Sequence, residues 1–142
     1  MTVSNDQIYP PKLHSIHGVL LAAAFALFFC GLLSDLAYAS SYQIQWVNFA
    51  SWLITGGLIF GGIILLWAIL NLFRSGHKGK YSVIYTLLLL VTWGLGLLNS
   101  LIHARDAWAT MPGGLILSVV VVLLSCASVW LGFATFGVGG KR

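Results

Sequence analysis

The residues in this chain whose types and spacing suggest chemistry fall into two groups at opposite ends of its hydrophobic stretches. The chain has three carboxylates and four histidines. One group holds Asp35, Asn48, Ser51, Asn99, His103, Arg105 and Asp106, with Ser118 at the same depth. An ionisable side chain at membrane depth is costly, so it must face the protein interior and find a partner. The Asp35 carboxylate needs a cation or several hydrogen-bond donors. His103 or Arg105 can supply the first, Asn48 or Asn99 the second. Two outcomes follow. The plainer is an ion-pair latch that fixes the register of the first and third helices. The sharper is a proton- or cation-binding cup open to the outside, with His103 as the titrating group.

The other group is His14, His17 and His77. His14 and His17 are three residues apart and share a helix face, and His77 returns to the same side of the membrane. A b-type haem needs axial imidazoles from two helices at matching depth, with a gap of small residues for the macrocycle. A histidine of the first helix and His77 meet the depth requirement. His103 does not, because some 22 to 26 residues of helix, about 35 Å, separate the two rims. Three histidines can also hold a metal ion if the third is well placed. The bland alternatives are a solvated loop histidine at His77, and headgroup contact or helix capping by His14 and His17. No P-loop, dinucleotide glycine pattern, zincin motif or nucleophile elbow occurs, and no nucleophile–base pair is in view, which points away from an enzyme. Cys30 and Cys126 lack the spacing of a redox or zinc site and read as buried apolar thiols.

The elements that must position these groups are unusually apolar. Of 142 residues 59% are hydrophobic and only 7% charged, against about a quarter charged in a soluble domain. The excess belongs against lipid. The net charge of +4 comes from seven scattered Lys and Arg, too few for a nucleic-acid surface. Hydrophobic runs cover 13–39, 46–73, 81–104 and 113–137, each long enough for the ~20 residues of a transmembrane helix. Turn chemistry separates them at Ser40-Ser41, at 74–80 and at 110–113. A polar leader (1–12) and a short tail (138–142) flank this single domain. Ala37-Tyr38-Ala39 resembles a signal-peptidase site. However, the run before it is long and its leader carries only Lys12, so a retained helix is expected. The positive-inside rule puts Lys12, Arg74, Lys78, Lys80, Lys141 and Arg142 on the cytoplasmic side and leaves only Arg105 outside. The fold expected is an all-α, antiparallel four-transmembrane-helix bundle with both termini cytoplasmic.

Steps of three and four residues trace one small or polar seam on each helix. These are His14, His17, Leu21, Ala24, Phe28, Gly31 and Asp35 on the first, and Asn48, Ser51, Thr55, Leu58 and Gly62 on the second. The third offers Thr92, Gly96, Asn99, His103 and Asp106, and the fourth Ser118, Val121, Ser125, Ser128 and Gly132. Such seams let helices approach closely and hydrogen-bond across the gap. Gly56, Gly57, Gly61, Gly62 and Gly96 form helix-packing surfaces that serve either the bundle itself or a second copy.

Four stretches resemble a bacterial four-helix membrane family known only as domain of unknown function 2231. They are Leu13-His14-Ser15-Ile16-His17, Ser34-Asp35-Leu36-Ala37-Tyr38, residues 46–53 from Trp46 to Leu53, and His103-Ala104-Arg105-Asp106-Ala107-Trp108. The resemblance runs from about Leu13 to Gly137 and implies a fold and a membrane location, with no activity attached. Many relatives follow the first histidine with Pro and the second with Phe-Pro, where this chain has Ser15 and Gly18. The leading expectation is therefore a non-catalytic accessory or assembly module of the bacterial inner membrane, alone, as a homo-oligomer or in a larger complex. Two alternatives stay open: an electron-transfer bundle holding haem b or a quinone at His14, His17 and His77, and a proton- or cation-binding protein using Asp35 and His103.

Overall fold

The computed structural model describes residues 14–74 and 79–136. His77, Lys78, the leader and the tail lie outside the described residues. Among the described residues, four helices are long and apolar enough to cross a membrane: α1 (Ser15–Ser41), α2 (Ile44–Arg74), α3 (Lys80–His103) and, after a one-turn helix α4 (Ala107–Thr110), α5 (Gly113–Phe136). The α1–α2 connection is only Tyr42 and Gln43. The sequence suggests a break at Ser40-Ser41, but α1 runs through both serines. Their hydroxyls donate to the Ala37 carbonyl at 3.0 and 2.6 Å, which satisfies a helix-end acceptor locally. The chain turns instead at Tyr42, which adopts a left-handed conformation and returns its N–H to Tyr38.

Consecutive long helices run antiparallel, so α1 and α3 point the same way. Helix α1 packs on α2 and α5, and α3 packs on the same two. Helices α1 and α3 therefore lie on a diagonal of a four-helix bundle. No more than a third of each apolar stretch is buried inside it. Trp52, Leu66, Leu87, Leu123 and Trp130 are all exposed, the reverse of a soluble protein and what a hydrocarbon solvent calls for. The chain is a membrane-spanning bundle in contact with lipid. Two apolar clusters fill its interior. One, toward the start of α1, holds Leu21, Ala24, Ile64, Leu65, Ala68, Tyr85 and Leu89. The other, toward its end, holds Phe28, Ala50, Ile54, Val121 and Val122.

Helix α2 presents a different face from the one its polar residues suggest. Val47, Ala50, Ile54, Gly57, Ile64, Leu65 and Ala68 are buried, whereas Asn48 and Thr55 are exposed. The Ser51 and Thr55 hydroxyls bond one turn back, to the carbonyls of Val47 and Ser51. Thr55, satisfied on its own helix, has no need of a partner across the bundle. The packing glycines are occupied within the protomer. A Cβ on Gly57 would stand 2.7–3.0 Å from the Phe28 ring, and one on Gly96 would stand 3.5 Å from it. Gly56 faces Leu27, and Gly61 and Gly62 face Trp93, whose indole N–H donates to the Leu58 carbonyl at 3.1 Å. Cys30 and Cys126 are free and exposed on the outside of the helices, a correction to the buried thiols expected. Both positions fall off the interior seams of α1 and α5.

Candidate functional site

Asp35 lies on the interior seam of α1 and reaches across the bundle diagonal to His103, the last residue of α3. The two meet at 2.8 Å between Oδ1 and Nε2. Ser118 of α5 donates its hydroxyl to the other carboxylate oxygen, and the Asn99 amide donates to Ser118 at 2.8 Å. The His103 Nδ1 sits 2.9 Å from the Asn99 backbone carbonyl. Three helices thus converge on one carboxylate, and the four side chains are almost wholly buried, with Asp35 at 0%, Asn99 at 1%, Ser118 at 2% and His103 at 4% exposure.

This geometry fixes the protons. A carbonyl oxygen only accepts, so His103 Nδ1 carries a hydrogen. The Nε2–Oδ1 contact then needs one more, held either as imidazolium facing carboxylate or as neutral imidazole facing a carboxylic acid. In both cases one proton bridges the pair and its net charge is zero, which is the state a low-dielectric interior favours. Both Asp35 oxygens meet hydrogen donors. The remaining polar atom is Asn99 Oδ1, which is buried and has no hydrogen-bond partner. Gly114 admits the imidazole: a Cβ there would fall 2.9 Å from His103 Cε1 and 2.8 Å from Thr110 Cγ2. Thr110, fully buried at the end of α4, closes the site from that side.

Of the other residues grouped with Asp35 by sequence, Ser51 approaches the site, with its hydroxyl 3.4 Å from the His103 carbonyl. Asn48, Arg105 and Asp106 are exposed and stand apart from the Asp35 carboxylate. Asn48 sits off the interior face of α2. Arg105 and Asp106 follow the end of α3, where the helical spacing that groups Asp106 with His103 no longer applies. Ser118, Gly114 and Thr110 complete the site from the α4–α5 side. The sequence signal for Ser118 is its place on the α5 seam, but its bond to Asp35 follows only from the bundle's diagonal geometry.

At the other end of the same two helices, His17 Nε2 meets the Tyr85 hydroxyl at 2.8 Å. The pairs His17–Tyr85 and Asp35–His103 are each separated by 18 residues of helix, about 27 Å. That is close to the ~30 Å of a hydrocarbon core, so the bundle is bridged near both rims. His17 also lies edge-on to Trp67 at 5.6 Å. His14 is exposed, accepts the Ile16 N–H as the cap of α1, and packs its ring on Trp67 at 5.4 Å. Tyr85 escaped the residue-type search, although it continues the α3 seam through Leu89, Thr92, Gly96, Asn99 and His103. Among the described residues no three His, Cys, Asp or Glu side chains gather as a metal site.

Residues 13–139 match a family described as predicted membrane protein (DUF2231). The chain belongs to that family. No curated protein and no solved structure matches it. What the family description carries is a membrane location, in agreement with the four apolar helices.

Proposed function

We propose that this chain is a non-catalytic module of the bacterial inner membrane, with both termini cytoplasmic, that holds one exchangeable proton between Asp35 and His103 at its outer end. The observation that carries this reading is the His103 Nδ1–Asn99 carbonyl contact, because it obliges the Nε2–Oδ1 bridge to contain a proton. A metal cation fits the site less well, since it would have to displace the donors on both carboxylate oxygens. The placement of Arg74 and Lys80 at one rim and Arg105 at the other supports the orientation. An electron-transfer role is less favoured: His17 is committed to Tyr85 inside the core, and His14 caps its helix. The confined, buried polar groups suit an accessory component that responds to protons rather than one that turns over a substrate.

Infrared difference spectroscopy on protein in lipid vesicles tests this reading. Transfer into deuterated buffer should shift a carboxyl or carboxylate band that disappears in Asp35→Asn. A spectrum without any Asp35-dependent, deuterium-sensitive band would leave the pair as a static latch.

A further inference from the structure

The rim where α1 and α3 begin and α2 ends carries positive charge that no described carboxylate offsets. Arg74 closes α2, Lys80 opens α3, and both are exposed. Among the described residues the carboxylates are Asp35 and Asp106, both at the opposite rim. Helices α1 and α3 also point their N-termini, the positive ends of their dipoles, at this rim, and neither has an acidic residue in its first turn. A rim of this kind favours an anion, and in a bilayer it stands among lipid headgroups.

Hydrogen-bond donors are concentrated in one small area of it. The His14 ring packs on Trp67 at 5.4 Å. Its Nδ1 accepts the Ile16 N–H as the cap of α1, so the hydrogen of the neutral imidazole is on Nε2. Among the described residues, neither that N–H nor the Trp67 indole N–H meets an acceptor. Arg74 follows Trp67 by about two turns on the same face of α2. Trp67 lies beside His17 near the edge of the hydrocarbon, and two turns carry the Arg74 backbone about 10 Å beyond it. The headgroup layer is about 5–8 Å deep on each side of a bilayer. Side chains of a helix lean toward its N-terminus, which on α2 directs the Arg74 guanidinium back into that layer, toward Trp67.

We infer that His14, Trp67 and Arg74 form a binding site for the headgroup of one anionic phospholipid. The guanidinium takes the phosphodiester through its paired N–H groups. The imidazole and indole N–H groups donate to the ester oxygens just below, at the depth where amphipathic rings sit in a bilayer. Ile63, one turn deeper on the same face of α2 and exposed, offers apolar surface to the acyl chains. Lys80 and the two helix N-termini set the specificity: their field repels the cationic group of a zwitterionic headgroup and accepts a phosphodiester that has none.

Native mass spectrometry of the full chain in detergent tests this, with titrations of phosphatidylglycerol, of phosphatidylcholine with the same acyl chains, and of inorganic phosphate. The unaltered protein should hold one phosphatidylglycerol about fivefold or more tighter than phosphatidylcholine, the effect of one basic side chain at an anionic headgroup. Inorganic phosphate should not displace it. Arg74→Gln should erase the preference. Trp67→Phe keeps a ring beneath His14 but removes the indole N–H, and should weaken phosphatidylglycerol about two- to fivefold. Where Trp67→Phe fails to fold, Arg74→Gln carries the test alone, since that position is exposed. Arg105→Gln, at the opposite rim, should leave binding unchanged. Equal binding of the two lipids, a preference that survives Arg74→Gln, or one lost equally in Arg105→Gln would overturn the site. Displacement of the lipid by inorganic phosphate would show a site for a free anion and overturn its assignment to a lipid.

Discussion

Replacing Asp35 by Asn and by Leu separates a proton site from a static latch. An amide in place of the carboxylate has the same shape. Its N–H₂ can donate to Nε2 of a neutral His103 whose Nδ1 hydrogen stays on Asn99, and its oxygen can accept from Ser118. Every hydrogen bond is kept, and the loss is the difference between charge-assisted and neutral bonds, about 1 kcal/mol. Leu keeps none of them. It leaves His103 Nε2 without a partner and the Ser118 hydroxyl hydrogen without its acceptor in a site 0–4% exposed, at about 1–3 kcal/mol each, or roughly 2–6 kcal/mol together. His103→Ala strands a buried carboxylate and should cost about 3–5 kcal/mol. Unfolding in mixed detergent micelles, followed by circular dichroism with size-exclusion profiles as a control, reads these differences as shifts in midpoint. The expected order of stability is the unaltered protein, then Asp35→Asn close behind, with Asp35→Leu and His103→Ala far below. If Asp35→Asn is as damaging as Asp35→Leu, the fixed charge is what holds the bundle, and the reasoning from a shared, neutral bridge fails.

Other perturbations test the packing and the orientation. Gly57→Ala puts a Cβ 2.7 Å from the Phe28 ring and should cost about 1–3 kcal/mol by overpacking. Gly61→Ala meets only Trp93 at an ordinary 3.6 Å and should be near neutral in the same unfolding assay. Tyr85→Phe removes the partner of buried His17 Nε2 and should lower stability by about 1–3 kcal/mol. In a Cys30→Ala/Cys126→Ala background, a cysteine at Arg105 should react with a membrane-impermeant maleimide on intact spheroplasts. One at Arg74 should react only after permeabilisation; labelling in the reverse order would invert the topology.

Much of this arrangement is legible from residue spacing because lipid offers polar groups no partner. Once the hydrophobic runs are recognised, Asp35, Asn99 and His103 have to turn inward, and the three-and-four spacing gives the faces of α1, α3 and α5 that do so. The same spacing misdirects α2 at Asn48 and Thr55, which lie exposed, whereas Ser51 bonds back to Val47 and also reaches the His103 carbonyl. It also overextends at Asp106, whose spacing from His103 counts only while the helix continues. The Ser118–Asp35 bond and the pairing of His17 with Tyr85 depend on which helices share a diagonal, information that no single helix pattern contains. Phe28 reads from sequence as ordinary core. That its ring is seated against Gly57 and Gly96 emerges only from the way α2 and α3 pack on α1.

The central claim is that one proton bridges Asp35 and His103 while the other imidazole nitrogen stays bonded to Asn99. Nitrogen NMR of ¹⁵N-histidine-labelled protein in bilayers, assigned by comparison with His103→Gln, measures this directly. Nδ1 should carry a hydrogen, and Nε2 should carry the signature of a strong hydrogen bond that vanishes in Asp35→Leu. A neutral imidazole protonated on Nε2 alone, or an Nε2 signal unchanged in Asp35→Leu, would contradict it.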